Sequence, residues 1–280
     1  MALFITSLNS GSNGNCYYVG NSTEAVLIDA GISCRETERR MTRLGLDMAL
    51  VKAIFVSHEH IDHITGLPAL SKKYQLPVYI TEHTLRESNV PVQEHLVKSF
   101  HEEEPITIGS LSVTAFKKFH DACDPHSFIV TDDTVTIGIF TDIGIACSKL
   151  IRYFRKCHAA FLEANYCPDM LRNGNYPPHL QKRISSDTGH LSNIQALELF
   201  TRYKSKRLTH LILSHLSQNN NRMELVNQLF SEKAGDVNIV VASRHRETAL
   251  YSVEAAGNEP EEEADIPVVA LTKPLQLSLF

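Results

Sequence analysis

The 280-residue chain has no apolar run near the roughly 18 residues that a membrane-spanning helix needs, so a helical span is not expected. Its N-terminus, Met1 to Thr6, lacks a basic region followed by a long apolar segment and passes straight into turn residues. A secretory leader is therefore not expected, and a cytoplasmic location is. The six cysteines, Cys16, Cys34, Cys123, Cys147, Cys157 and Cys167, form no C-x-x-C pair. That spacing argues against a disulfide framework or zinc ribbon and for reduced core thiols without a redox role. No large charge excess exists either, since the net charge is -5, but the distribution is uneven. Residues 149–207 hold eleven Lys/Arg against four Asp/Glu, net +7, a bias that can attract a phosphate backbone.

What the chain does have, with 43% hydrophobic residues, is enough apolar material for a sizeable core and one dense polar stretch, Ser57-His58-Glu59-His60-Ile61-Asp62-His63. It follows Val51-Lys52-Ala53-Ile54-Phe55-Val56, whose β-branched and aromatic content reads as a buried strand, and precedes Gly66, where a helix can begin. Imidazole and carboxylate suit Zn, Mn or Fe. His58 and His60 alternate in an extended turn and can face one ion, while Asp62 and His63 turn toward a second. The expected object is a binuclear metal centre.

The pattern His-x-His-x-Asp-His after a hydrophobic strand resembles the metallo-β-lactamase superfamily. The resemblance implies an α/β fold, a four-layer αβ/βα sandwich with the metals where the two sheets meet. The superfamily spans lactamases, thioesterases, lactonases, oxidoreductases and nucleases, so fold alone does not select the reaction.

The rest of the chain reads consistently. Leu3–Leu8, Cys16–Gly20 and Ala25–Asp29 form an opening β-meander, and its Gly/Ser/Asn-rich first turn is either an anion nest or a plain hairpin loop. Asp29, ending the third strand, resembles the superfamily residue that braces the metal loop without binding metal. Ser33 caps a helix to about Leu44; a helix from about Gly66 to Tyr74, a strand at Val78–Thr81 and a helix near Glu82–Ser88 follow. Segments at Thr107–Phe119, Ser127–Thr131 and Val135–Thr141 read as successive antiparallel strands, and Leu208–Leu213 and Val237–Ala242 as later ones.

By resemblance, His120 joins His58 and His60 on the first metal, Asp142 bridges both ions, and His215 completes the second site with Asp62 and His63. Aspartate at 142, where true β-lactamases carry cysteine, argues against that activity. Phe161-Leu162-Glu163-Ala164-Asn165, Gly189-His190-Leu191-Ser192-Asn193 and Leu213 to Asn221 resemble the bacterial WalJ (YycJ) group, nuclease-like relatives of ribonuclease Z. The likeness covers roughly residues 1–250 and departs at Tyr166-Cys167, where His-Asp is expected. It implies two divalent ions, Zn or Mn, and in-line attack of hydroxide on phosphorus. Asp62 orients or deprotonates that hydroxide, and His190 assists the leaving group. Ser192 and Asn193 are candidate N-caps of a helix from Ile194 to Tyr203, and with Asn220 and Asn221 they are expected to contact substrate.

Composition shifts after residue 254. Residues 255–265 read as an acidic linker following a catalytic domain of residues 1–254, and residues 266–280 as a tail. The tail carries Gln276, Leu277, Leu279 and Phe280, which resemble the motif by which DNA replication and repair proteins bind the bacterial sliding clamp. The expected function is thus a metal-dependent phosphodiesterase acting on nucleic acid, DNA rather than RNA, as an exonuclease in repair or replication. Its rivals are a glyoxalase II-type thioester or lactone hydrolase and a non-catalytic clamp-binding adaptor.

Overall fold

The computed structural model describes residues 2–255. The expected linker beyond Ala255, and the tail with its clamp-like motif, lie outside the described residues.

Two seven-stranded sheets face each other. The first begins with β1 (Leu3–Asn9), β2 (Cys16–Gly20) and β3 (Ala25–Ile28), an antiparallel meander, and continues in parallel through β4 (Val51–Phe55), β5 (Val78–Tyr79) and β6 (Val97–Lys98). The second runs antiparallel through β7 (Ile106–Ile108), β8 (Leu111–Lys117), β9 (His126–Thr131) and β10 (Thr136–Phe140). It then turns parallel through β11 (Ala159–Glu163), β12 (His210–Ser214) and β13 (Asn238–Val241). β14 (Tyr251–Val253) returns to the first sheet beside β1.

The layers follow from where apolar side chains go. Leu3, Ile5, Tyr17, Val19 and Phe55 from one sheet pack on Val113, Phe128, Ile137 and Phe161 from the other. Helices α1 (Cys34–Arg43), α2 (Ile61–Ile64), α3 (Leu67–Tyr74) and α4 (Glu82–Ser88) belong to the first half. The outer face of that sheet buries Met41, Leu67 and Leu70. The second half carries α5 (Ser148–Phe154), α6 (Pro168–Asn173), α7 (Pro178–Ile184), α8 (Asn193–Tyr203) and α9 (Met223–Ser231). Its outer face buries Leu150, Phe154, Leu199, Phe200 and Phe230. The result is the four-layer αβ/βα sandwich. Tyr17 and Phe161, from opposite sheets, meet with ring centroids 4.9 Å apart.

Local chemistry sets the joints. Ser33 Oγ accepts the Glu36 amide at 3.3 Å and starts α1. From that helix the buried Arg40 donates to Leu8 O and Asn9 Oδ1, both at 2.7 Å, locking it to the end of β1. Three expectations change. The Thr107–Phe119 segment is a hairpin, broken at Gly109 by a left-handed backbone (φ 62°) that glycine adopts without strain. The strand at Val78 stops at Tyr79, because Thr81 caps α4 by accepting the Thr84 amide. Of the cysteines, Cys16 and Cys157 are core thiols, whereas Cys123 is exposed.

Candidate metal centre

Every candidate side chain sits where a strand or its connecting loop reaches the edge shared by the two sheets. From the first sheet, β4 runs into Ser57 and His58, and α2 coils the chain so that Asp62 and His63 lie on a helical turn. The chain is extended at His60 and turns from Ile61, in keeping with the expected change of direction between His60 and Asp62. Asp29, fully buried after β3, holds this loop: its carboxylate accepts the Ser57 amide (2.8 Å), Ser57 Oγ (2.9 Å) and His63 Nδ1 (2.7 Å).

The Gly/Ser/Asn turn braces the metal loop. The amides of Ser10, Gly11, Gly14 and Asn15 all have protein acceptors. Asn15 donates its amide to Asp62 O (2.7 Å) and its Nδ2 to Asp62 Oδ2 (3.1 Å). Gly31 lies where this turn crosses the metal loop; a Cβ there would fall 1.7 Å from Asp62 O.

From the second sheet come His120 after β8, Asp142 after β10, Glu163 at the end of β11 and His215 after β12. His190 enters just before α8. Asp29, Asp142 and His215 all have left-handed backbones (φ 62°, 55° and 55°), a conformation disfavoured for residues with a Cβ and frequent at functional sites. Lys118, almost fully buried, donates Nζ to Thr141 O at 2.8 Å beneath Asp142.

These residues converge as two overlapping donor groups. One comprises His58, His60 and His120; the other brings Asp62, His63 and His215 together, with Asp142 reaching both. His58 Nε2 is 3.1 Å from His60 Nδ1, which is 3.3 Å from His120 Nε2. His63 Nε2 lies 3.2 Å from Asp142 Oδ2, and His215 Nε2 lies 3.5 Å from Asp62 Oδ2. The structure therefore assembles all seven residues that the sequence singled out.

The outer ring nitrogens set the tautomers. His120 Nδ1 donates to the Gly189 carbonyl, and His63 Nδ1 to Asp29. Ser57 Oγ gives its one proton to Asp29, so His58 Nδ1 must donate to Ser57 Oγ, at 2.8 Å. His215 Nδ1 donates to Glu163 Oε1 at 3.1 Å. His58 Nε2 and His120 Nε2 are then left as inward lone pairs, which a cation can take. The buried atoms Asp142 Oδ2 and His215 Nε2 have no hydrogen-bond partner. An all-nitrogen group beside a carboxylate-rich one suits divalent ions such as zinc or manganese.

Electrostatics divides the groups in the same way. Burial pushes His58 well below its ordinary value, and burial aided by Lys118 and His190 brings His120 down to about 3. Burial also opposes charge on His63, but the carboxylates of Asp29, Asp142 and Asp62 outweigh it and raise His63 to about 10. His215 is raised for the same reason, by Asp142, Asp62 and Glu163. Against a burial penalty, the neighbouring imidazoles hold Asp62 and Glu163 down to about 2. Without metal, one side of the centre is neutral imidazole and the other stores protons where cations would sit.

Sequence reasoning missed three residues as parts of the site. Glu163 Oε1 accepts from His190 Nδ1 (2.8 Å) as well as from His215, while Oε2 takes the amides of Ile143 (2.8 Å) and Leu191 (3.1 Å). Its signal was available: an acidic residue ending an apolar strand, the position type that marked His58. Asn15 and Lys118 had no comparable signal, because a turn amide and a strand lysine are ordinary on a surface.

The four residues expected to contact substrate are buried and have protein partners. Ser192 and Gln195 form a capping box for α8. Asn193 and Asn221 exchange side-chain amide hydrogen bonds (2.8 and 2.9 Å), and Asn221 Nδ2 also reaches Ala164 O (2.8 Å). Asn220 is buried, and its carbonyl accepts the Cys167 amide at 2.8 Å. All four hold the loops behind Glu163 and His190, because buried amides take the acceptors nearest them.

The chain is similar to known proteins in sequence and in fold. Residues 24–215 match the family described as the Beta-lactamase superfamily domain. The chain is 34% identical over 242 residues to Exodeoxyribonuclease YycJ of Bacillus anthracis, covering 83% of this chain and 91% of that protein. It is 31% identical to Exodeoxyribonuclease WalJ of Streptococcus pneumoniae, covering 81% and 88%. In fold it matches the metallo-β-lactamase fold protein YhfI of Bacillus subtilis, with a TM-score of 0.69, 15% identity and coverage of 90% and 100%. With the sandwich, the strand-end ligands and these likenesses together, the chain belongs to the metallo-β-lactamase superfamily, alongside the YycJ and WalJ proteins.

Proposed function

We infer that the protein is a metal-dependent exodeoxyribonuclease that uses two divalent ions, zinc or manganese. The observation that carries this reading is the extended identity to proteins named exodeoxyribonuclease, across most of both chains. The site chemistry agrees with it. Asp29, Asp62, Asp142 and Glu163 crowd one buried region, and a phosphodiester anion would be repelled from it unless cations offset the carboxylates. When bound, divalent ions supply a Lewis acid for the phosphoryl oxygens and an acidified water.

The chain's own residues do the rest. Asp62, only partly buried and held by Asn15, orients the attacking water or takes its proton, and a carboxyl held down to about 2 favours the orienting role. His190 keeps Nδ1 on Glu163, leaving Nε2 to hand a proton to the departing sugar oxygen. Among the described residues no helix is long and apolar enough to cross a membrane. We assign DNA over RNA, and a role in repair or replication, on the names of the relatives and on Gln276, Leu277, Leu279 and Phe280 as the contact with a bacterial sliding clamp.

The test is nucleotide release from end-labelled single- and double-stranded DNA and from RNA, with manganese or zinc restored to chelated protein and Asp142→Ala as control. Metal-dependent release from DNA, lost in the control, is expected. Failure to degrade any polymer overturns the reading. Deleting residues 276–280 should abolish co-purification with the clamp while leaving nucleotide release intact.

A further inference from the structure

Two large apolar side chains are left in solvent beside the centre. Ile61, 72% exposed, directly follows His60; Phe119, 51% exposed, directly precedes His120. The rings of His60 and His120 lie 5.1 Å apart between centroids, so these apolar residues stand one on each loop that supplies the pair.

Both loops are pinned. Glu59 accepts the Cys123 amide at 2.8 Å and its Sγ–H at 3.2 Å, joining the loop of His60 to the loop of His120. Phe119 O accepts the Gly144 amide at 2.7 Å, which holds its backbone against the turn after Asp142. A pinned, half-exposed phenylalanine retains its apolar surface in water, and covering that surface is favourable by the ordinary hydrophobic argument. A phosphate and a sugar offer an aromatic ring little, whereas every nucleobase has a planar face that stacks on one.

We propose that Phe119, supported by Ile61, is the stacking seat for the base of the terminal nucleotide whose phosphodiester is cleaved. The proposal rests on the nuclease reading above and names the part of the substrate that the metal centre itself does not recognise. A seat of this kind accepts all four bases, because stacking reads a π-face and not a hydrogen-bonding edge. It favours a strand end, where the terminal base has an outer face that no neighbouring base covers.

The experiment is a coupling measurement. Single-stranded oligonucleotides carry either a normal or an abasic (tetrahydrofuran) terminal residue, placed at each end in turn. kcat and KM are measured for the wild type, Phe119→Ala, Phe119→Trp and Ile61→Ala, with the metal content of each protein determined in parallel. In the wild type the abasic terminus should raise KM about tenfold, within the range that base–aromatic stacking supplies. Phe119→Ala should raise KM for the normal strand to about the same level, show no further abasic penalty and keep its metal content. Phe119→Trp should restore the penalty, and Ile61→Ala should reduce it. Cleavage by Phe119→Ala with the full abasic penalty overturns the seat alone. Failure of the wild type to cleave either strand overturns the nuclease reading and the seat with it.

Discussion

Glu163 Oε1 accepts a hydrogen bond from His190 Nδ1 at 2.8 Å. The same oxygen is 3.1 Å from His215 Nδ1, so one buried carboxylate orients both a candidate metal ligand and the candidate proton donor. Replacing Glu163 with Gln should lower kcat by about 10²- to 10⁴-fold, the range of general acid–base contributions. The loss should not multiply with that of His190→Ala, since both changes disable one unit. Rates of the two single variants and the double variant, with metal content, decide it; multiplicative losses would separate the two residues.

Removing the ions should leave a protein whose stability has a pH optimum near 6.5. His63, raised to about 10, contributes stability that is full below the ordinary histidine value of about 6.5 and declines as pH rises toward 10. His58 and His120 are depressed, so their contribution is present above about 6.5 and fades as the unfolded chain takes up protons below it. Calorimetry of chelated protein between pH 5 and 9.5 should show this dome. Restoring zinc at pH 8 should release protons and flatten the alkaline limb, because cations replace the stored protons.

Gly31→Ala should disturb the centre although no side chain of Gly31 takes part in it. The added methyl would meet Asp62 O at 1.7 Å and Asn15 N at 2.5 Å, both backbone atoms that cannot rotate away. Overpacking of this kind costs about 1–3 kcal/mol. A melting temperature lowered by several degrees, with reduced metal content, is expected; an unchanged metal content would show that the loop yields without moving Asp62.

Asn221→Ala separates a scaffold role from a substrate contact. The change strips partners from Ala164 O, Asn165 O and the Asn193 amide, all buried, and should destabilise the fold by roughly 2–3 kcal/mol. KM for oligonucleotide should stay within about twofold of wild type, on the view that stacking and phosphate contacts lie elsewhere. A raised KM with unchanged melting temperature would return Asn221 to the substrate.

The sequence by itself determined the sandwich, the paired imidazole–carboxylate chemistry and the positions of the seven candidate ligands. The first four donors are a local signal, falling in six consecutive residues, whereas the sandwich and the roles of His120, Asp142 and His215 came from the resemblance of the motifs to a known superfamily. Glu163 was legible as an acidic residue ending an apolar strand, yet its role was not, because orienting two histidines is a relation between three strand and helix ends distant in sequence. Ser192 was legible as a helix cap, but which buried groups Asn193, Asn220 and Asn221 partner is set by packing between segments distant in sequence. Tertiary structure also decided the left-handed turns at Asp29, Asp142 and His215, since their strain is tolerable only when the surrounding hydrogen bonds hold them. Residue type sets which chemistry is available; the meeting of the two sheets sets which atoms share a charge and a proton.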